Sequence, residues 1–417
     1  MTRTTKIACR AAAAIALLMV ASGCTIDGKP VAHKPDPAAL DTGRYGVEPL
    51  EPPAGTESTG RVLESARMTE VMLDPAAVDP ALIHAPDAIS IAPIPTPARA
   101  SMLLTDRVRP VLERHGMVAG CMVGGSDVEP GPHGVEVGKG RVLVALVLRF
   151  PDAAAAQRAA AEIDSVDAAV STENVAAAIP DYPAAHAHWR PAVPSMAATV
   201  AHDDYVISLL MGHTSPDLGA LTGLARKAFD AQIPLLHGFA ATPVDRFSAL
   251  PLDPDRMIRL QVPDAPNRWT YPGVVSLGNH RAAGWNTSPV GVGVSLGPRA
   301  TAIYLGPSDN SAGKRPDAAA TNGFNQLLRY PDAVSAHQRF EQARAKTAAD
   351  STLRPIDPPA GASDISCFQN LDPDPVGMST FMCRMQYGRY TAIVLARDAT
   401  GVRQRAAAQY GLLVNGG

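Results

Sequence analysis

Aromatic residues are scarce in this chain of 417: 8 Phe, 9 Tyr and 3 Trp amount to 5% of it. Its cores therefore have to be filled by small aliphatic side chains, and broad aromatic binding surfaces are not expected. Charge is sparse as well, at 18%, with a formal net value of −3. A weakly acidic surface does not attract nucleic-acid phosphates, so no nucleic-acid partner is expected. No apolar run is long enough to span a bilayer as a stable helix, which takes roughly 20 residues. Also missing are the phosphate loop G-x-x-x-x-G-K-[ST], the dinucleotide fingerprint G-x-G-x-x-G, and H-E-x-x-H and C-x-x-C. "VGKGRV" at 137–142 fits a hairpin turn better than a phosphate cradle. These absences leave no catalytic residue, metal ligand or cofactor to assign.

What is present begins with "MTRTTKIACRAAAAIALLMVASGC": three positive charges, an apolar run from Ala11 to Val20, and small residues ending at Cys24. That order is a secretory signal over residues 1–23. The stretch Ala21-Ser22-Gly23-Cys24 resembles a bacterial lipobox, although such a box usually opens on Leu and this one on Ala21. The expectation is lipidation at Cys24, each buried methylene adding about 0.8 kcal/mol of membrane affinity. Cleavage without lipidation is the alternative. Residues 24–57 are rich in Pro, with Pro30, Pro35, Pro37, Pro49, Pro52 and Pro53, and read as an extended tether.

With Cys9 in the signal and Cys24 at its end, Cys121, Cys367 and Cys383 remain. Cys367 in "DISCFQN" and Cys383 in "STFMCRMQYGRY" lie on two strand-like runs joined by "LDPDPVGM". Antiparallel neighbours there predict a disulfide between them, suited to an oxidising compartment. Cys121, among apolar and Gly residues in "VAGCMVGGSD", reads as a small buried hydrophobe.

A repeat sets the architecture. "LRFPDA" at 148–153 returns as "LRYPDA" at 328–333, and each ends an apolar run, caps a helix with Asp and leads into an Ala-rich segment. Ala156, Ala160 and Ile163 repeat in spacing as Ala336, Phe340 and Ala343. A hairpin follows in each half, turning at Asp203-Asp204 and near Tyr387-Gly388, and a closing helix follows each hairpin. The fold class is thus α+β in two homologous, duplicated domains, each an antiparallel sheet packed against helices on one face, closing its own core. The boundaries are 58–240 for the N-terminal domain, 241–268 for the connection and 269–417 for the C-terminal domain. Within them "ARASMLLTDRVRPVLERHG" reads as one helix ending at Gly116, and "PGVVSLGNH", "VGVGVSL" and "ATAIYLG" read as strands.

Candidate chemistry is thin. His186 and His188 share a strand face, with His202 and Asp203 on a neighbouring strand, a set a transition metal could use. Histidines flanked by Ala and Pro are more often solvated, and the second half has no counterpart. "GVSLG" at 293–297 matches the nucleophile elbow in form, but an elbow needs strand, turn and helix, and "RATAIYLG" after Pro298 reads as a strand, leaving Ser295 an ordinary residue. Asn286-Thr287-Ser288 has the form of a glycosylation sequon and carries no weight beside a bacterial lipid-type signal. The charges of "RPVLERH", "RQRAAAQ" and "HQRFEQARAK" read as solvated helix faces.

With the lipobox, "LDTGRYGVEPLEP", "GRVLESARMTEVML", "VDPALI", "LERHGMVAGC", "EVGKGRV", "LRFPDAAAAQRAAAEI" and "TPVDRFSALPLDPD", the chain resembles actinobacterial envelope lipoproteins of unestablished role. The resemblance spans most of residues 40–415 and carries no active-site residue. It implies a lipid-anchored extracytoplasmic protein of duplicated α+β domains. The expected function is non-enzymatic binding of a small or envelope-derived ligand, or of a partner, in the groove between domains on the outer face of the cytoplasmic membrane. The alternative is an unrecognised envelope hydrolase. Converging carboxylates in a deep cleft would favour the latter, a shallow apolar cleft the former.

Overall fold

The computed structural model describes residues 36–417 apart from 88, 132–133, 277–288, 307–312, 324, 361, 363 and 373–379. The signal segment, Cys24 and the Asn286 sequon lie outside the described residues. In the first lobe the elements run α1 (Glu57–Met68), α2 (Pro75–Val78), β1 (Ile91–Pro93), α3 (Pro97–Ala100), α4 (Arg109–Arg114), β2 (Ala119–Ser126), β3 (Val142–Arg149), α5 (Ala153–Ala168), β4 (Val175–Ala176), β5 (His186–Trp189), β6 (Ser195–His202), β7 (Tyr205–Gly212) and α6 (Leu218–Leu236). The second lobe has β8 (Gly273–Ser276), β9 (Pro289–Leu296), α7 (Pro298–Leu305), β10 (Ala318–Asn322), β11 (Asn325–Arg329), α8 (Ala333–Ala348), β12 (Leu353–Ile356), β13 (Ile365–Asn370), β14 (Phe381–Tyr387), β15 (Tyr390–Ala396) and α9 (Ala399–Gly416).

The first sheet has the order β1-β2-β3-β7-β6-β5-β4, and the second, read from the same side, β8-β9-β10-β11-β15-β14-β13-β12. All described pairings are antiparallel, and the two orders coincide once β8 is set aside as an extra edge strand. The duplicated α+β arrangement holds at the level of strand order and local punctuation. Asp152 caps α5 through Ala155 N–H at 2.7 Å, and Asp332 caps α8 through Ser335 N–H at 2.8 Å. The hairpin turns also match, with Asp203 at φ 49° and Gly388 at φ 54° in the left-handed region.

Helices cover both faces of each sheet, a correction to the one-faced arrangement expected. Leu143, Ala145 and Val147 face α6 through Leu221, Ala225 and Phe229, while Val144, Leu146 and Leu148 face α5 through Ala156, Ala160 and Ile163. The continuous apolar run of β3 was the signal, since a strand buried on both sides has no polar alternation to show. In the second lobe α9 lies on the face carrying Leu327, Met385 and Val394, and the opposite face carries Leu328 and Tyr330.

The lobes do not close separate interiors. Leu296, Ala300, Ile303, Leu328, Tyr330 and Ala336 of the second lobe form one buried cluster with Met72, Leu73, Ile91, Ala145 and Phe229 of the first. The 241–268 connection is packed too. Phe247 is fully buried, and a Cβ at Gly60 on α1 would stand 2.1 Å from its carbonyl oxygen.

Three local expectations are corrected. The stretch 98–116 is not one helix: Thr105 is extended and separates α3 from a 3-10 turn and α4, though Gly116 has the positive φ of a helix end. "ATAIYLG" is helical, as α7. From Asp36 on, the proline-rich segment is strapped to the second lobe instead of standing free. Leu40 is buried in that lobe's core, Gln404 donates to Asp41 at 3.3 Å, and Asn415 Nδ2 donates to Val47 O at 3.1 Å. Proline fixes the backbone cheaply but does not keep it off a surface whose amides match its carbonyls.

Candidate functional site

The two lobes meet where α7 faces the segment between α1 and β1. The N-terminus of α7 has no cap from its own chain neighbours, because Gly297 lacks a side chain. Glu70 of the first lobe supplies one, accepting from Ala300 N–H at 2.9 Å and Arg299 N–H at 3.2 Å. A Cβ at 297 would lie 2.7 Å from the Glu70 carboxyl carbon, so a larger residue there would push the capping carboxylate aside. Arg299 Nε donates to Met72 O at 2.9 Å, Ser90 Oγ to Ile303 O at 2.9 Å, and Arg99 Nη2 to Val274 O at 2.8 Å.

The Ser90–Ile303 bond lies in the wall of a cavity of about 220 Å³ lined from both lobes. Asp74, Leu82, His84 and Ser90 come from the first, and Ile303, Tyr304 and Arg315 from the second. Asp74, the only carboxylate among its described lining residues, is engaged in capping α2 through Ala76 N–H at 3.0 Å. Arg315 Nη2 donates to Gly306 O at 3.1 Å. Burial raises the Tyr304 phenol above its ordinary value, against an opposing hydrogen bond with Gln326, so it stays a neutral hydroxyl. The chamber offers hydrogen bonds and one guanidinium beside apolar walls. Among its described lining residues no carboxylates converge.

The other candidates are placed as follows. Cys367 and Cys383 face each other across β13 and β14 and are joined, with Cα atoms 4.1 Å apart. Cys121 is a free thiol buried on β2, and burial pushes it well above the usual thiol range. His186 and His188 do not converge. His188 Nδ1 lies 2.8 Å from Asp164 and its Nε2 3.7 Å from Asp167, tying β5 to α5, while His186 is exposed. Burial raises the Asp167 carboxyl, partly offset by His188. His202 meets His237 instead, Nε2 to Nε2 at 3.1 Å. Among the described residues no group of three or more His, Cys, Asp or Glu is placed to hold a metal ion.

Ser295 needs a correction of context. A helix does follow its strand, so strand, turn and helix are all present. Yet Ser295 lies inside β9, opposite Ala320, and its hydroxyl donates to Asp255 at 2.8 Å. No histidine hydrogen-bonds it among the described residues. Both glycines of "GVSLG" have packing reasons: Gly297 as above, and Gly293 at φ 60°, where a Cβ would stand 2.6 Å from Thr270 O.

Sequence reasoning missed a buried ionic cluster. The Glu64 side chain is fully enclosed and accepts from Arg149 Nη1 at 3.1 Å, from Thr242 N–H at 2.8 Å and from Arg67. Arg149 also reaches Asp204 at 3.1 Å and Thr242 O at 2.7 Å. The signal was a glutamate between Leu63 and Ser65 on the apolar face of α1. The cluster ties α1, β3, the β6–β7 turn and the connection together, and every carboxylate in it is charge-paired.

Fold and site together define a two-lobed α+β scaffold around an interlobe chamber. Residues 51–252 match the N-terminal domain of DUF7373, a domain of unknown function, and residues 308–416 match its C-terminal domain. The chain belongs to that family. No curated protein sequence matches it. Among solved structures it is similar to the extracellular domain of PknH from Mycobacterium tuberculosis, at 11% identity over 40% of this chain and 95% of that one, with a TM-score of 0.26. Among the described residues no helix is long and apolar enough to cross a membrane.

Proposed function

We propose that the protein is a lipid-anchored component of an actinobacterial cell envelope, attached through Cys24, that binds a small or envelope-derived ligand in the interlobe chamber without transforming it. One observation carries the reading: the chamber is walled by both lobes and fixed by the Glu70 cap and the shared core, so it exists before any ligand arrives. A preformed pocket at a domain junction binds without a large ordering cost. Asp74, the carboxylate among its described lining residues, already serves a helix cap, which supports binding over hydrolysis. The disulfide and the signal-like N-terminus suit an oxidising, extracytoplasmic site.

Native mass spectrometry of the protein extracted from its own membrane tests the idea. The expected result is a bound mass that disappears in Ala302→Trp, where a half-buried lining residue is enlarged into the chamber. Finding no bound mass, or one that Ala302→Trp retains, would overturn it.

A further inference from the structure

The duplication provides an internal control at the hairpins. Aligning the two turns sets His202, opposite Tyr205, against Tyr387, opposite Tyr390. In the second lobe this strand end meets the closing helix through two phenol rings, Tyr387 and Tyr410 of α9, edge to face with centroids 5.5 Å apart. Ring packing therefore suffices to close that contact in this fold. In the first lobe two imidazoles make the contact instead. His202 ends β6 and His237 caps the C-terminal end of α6, with ring centroids 5.1 Å apart and Nε2 atoms 3.1 Å apart.

That separation is the one two nitrogens take around a single metal ion. With metal–nitrogen bonds of about 2.0–2.1 Å, ligand nitrogens stand about 2.9 Å apart at a right angle and about 3.3 Å apart at the tetrahedral angle. Both rings are carried at the ends of regular elements, a strand paired along its length with β7 and a helix of 19 residues, so the backbone sets their approach. Solvent reaches them, since His202 is half-buried and His237 exposed. Among the described residues Asp203 is the acid within ion-pair distance of either ring, its Oδ2 3.6 Å from His202 Nε2, and its side chain is exposed. Asp204 beside it is engaged by Arg149. A hydrogen bond between the rings uses one Nε2 proton and one lone pair, whereas a metal ion uses both lone pairs, and the two states answer differently to added metal.

We propose that His202 and His237 form a metal site that takes a first-row divalent transition ion, copper(II) in preference to zinc. Imidazole nitrogens suit both ions, and for such donors affinity rises along the series to copper and falls at zinc. Magnesium, which demands oxygen ligands, is not expected to bind. Asp203 supplies a third donor by rotation of its exposed side chain, and water completes the shell. A two-point grip of this kind, open to solvent, exchanges its ion instead of enclosing it as a structural centre does. The site shares no residue with the described lining of the interlobe chamber, and either can fail without the other.

The test uses the full chain, stripped of metal with a chelator, with copper(II), zinc(II) and magnesium(II) chlorides as probes. Calorimetry should find copper bound, zinc bound more weakly and no response to magnesium, and copper should raise the melting temperature. His202→Gln and His237→Gln should each weaken copper binding at least about tenfold. Because solvent reaches both positions, each variant is expected to fold and, without metal, to melt with the parent. His186→Gln, at an exposed histidine on β5, should leave copper binding unchanged. Electron paramagnetic resonance of the copper-loaded parent needs no variant and should show coupling to two imidazole nitrogens. Copper uptake equal in the parent and in both variants, or a spectrum without the two-nitrogen coupling, overturns the proposal and leaves the pair a hydrogen bond between rings.

Discussion

Arg149 and Arg329 hold the same place in the two lobes, Arg149 opposite Tyr205 across β3 and β7 and Arg329 opposite Tyr390 across β11 and β15. The next amide repeats as well, Phe150 N–H donating to Asp204 O and Tyr330 N–H to Arg389 O, both at 2.8 Å. The backbone has been kept while the partners have diverged. Arg149 reaches the enclosed Glu64, whereas Arg329 pairs with the half-exposed Asp317 at 2.7 Å.

That divergence predicts unequal costs. Glu64→Ala leaves the buried Arg149 guanidinium with Asp204 as its remaining charge partner and should cost about 3–5 kcal/mol. Asp317→Ala should cost less than about 1 kcal/mol. Urea unfolding of the two variants against the parent measures both, and equal costs would refute the contrast.

The shared core predicts one unfolding transition for both lobes. Calorimetry should give a single peak, and Met72→Ala, in the first lobe, should move the whole of it, at a cost of about 2–5 kcal/mol. Two separable peaks would show that the cluster does not couple the lobes.

The thiols should behave as two classes. Peptide mapping without reduction should recover Cys367 linked to Cys383, and replacing both with Ala should lower stability by about 3 kcal/mol for a loop of this length. Cys121, whose burial opposes thiolate formation, should resist iodoacetamide until the protein unfolds. Rapid alkylation under native conditions would contradict the buried placement.

Acid should weaken the α8 cap in a defined window. The Asp332 carboxyl is held down to about 2, first by Ser335 N–H and then by Lys314. An Asp in the unfolded chain titrates near 3.9, so the folded value is the lower one. The contribution is therefore complete above about pH 4 and is lost as pH falls toward 2. Carboxyl NMR should place the Asp332 midpoint near 2, and the stability gap between parent and Asp332→Asn should shrink across that window. A midpoint near 4 would remove the prediction.

What could be read in the sequence was local. Pro151 and Asp152, with Pro331 and Asp332, mark strand ends and helix starts through their own backbone chemistry, and the hairpins announce themselves at Asp203 and Gly388. The α7 helix was missed because Thr301, Ile303 and Tyr304 look like strand residues and the cap that starts the helix is Glu70, more than two hundred residues away in the chain. The interlobe chamber was expected as a groove, but none of its lining residues could be named, since they come from segments with no shared motif. Arg339 and Lys346 stand seven apart on α8, as on any solvated helix, yet both line a hollow whose other wall includes Met382 and Arg384 of β14. The strap could not be inferred either, because its partners on α9 lie at the other end of the chain.

The strap also bears on the order of assembly. Asn415 Nδ2 donates to Glu48 Oε1 at 2.9 Å, across 367 positions of sequence. A chain made from its N-terminus must leave residues 40–51 without their berth until its last helix has emerged, and closing so long a loop comes late in folding. Docking of the strap thus reports that α9 has been made, and a product cut short before α9 would display the unseated proline-rich strip to any protease nearby.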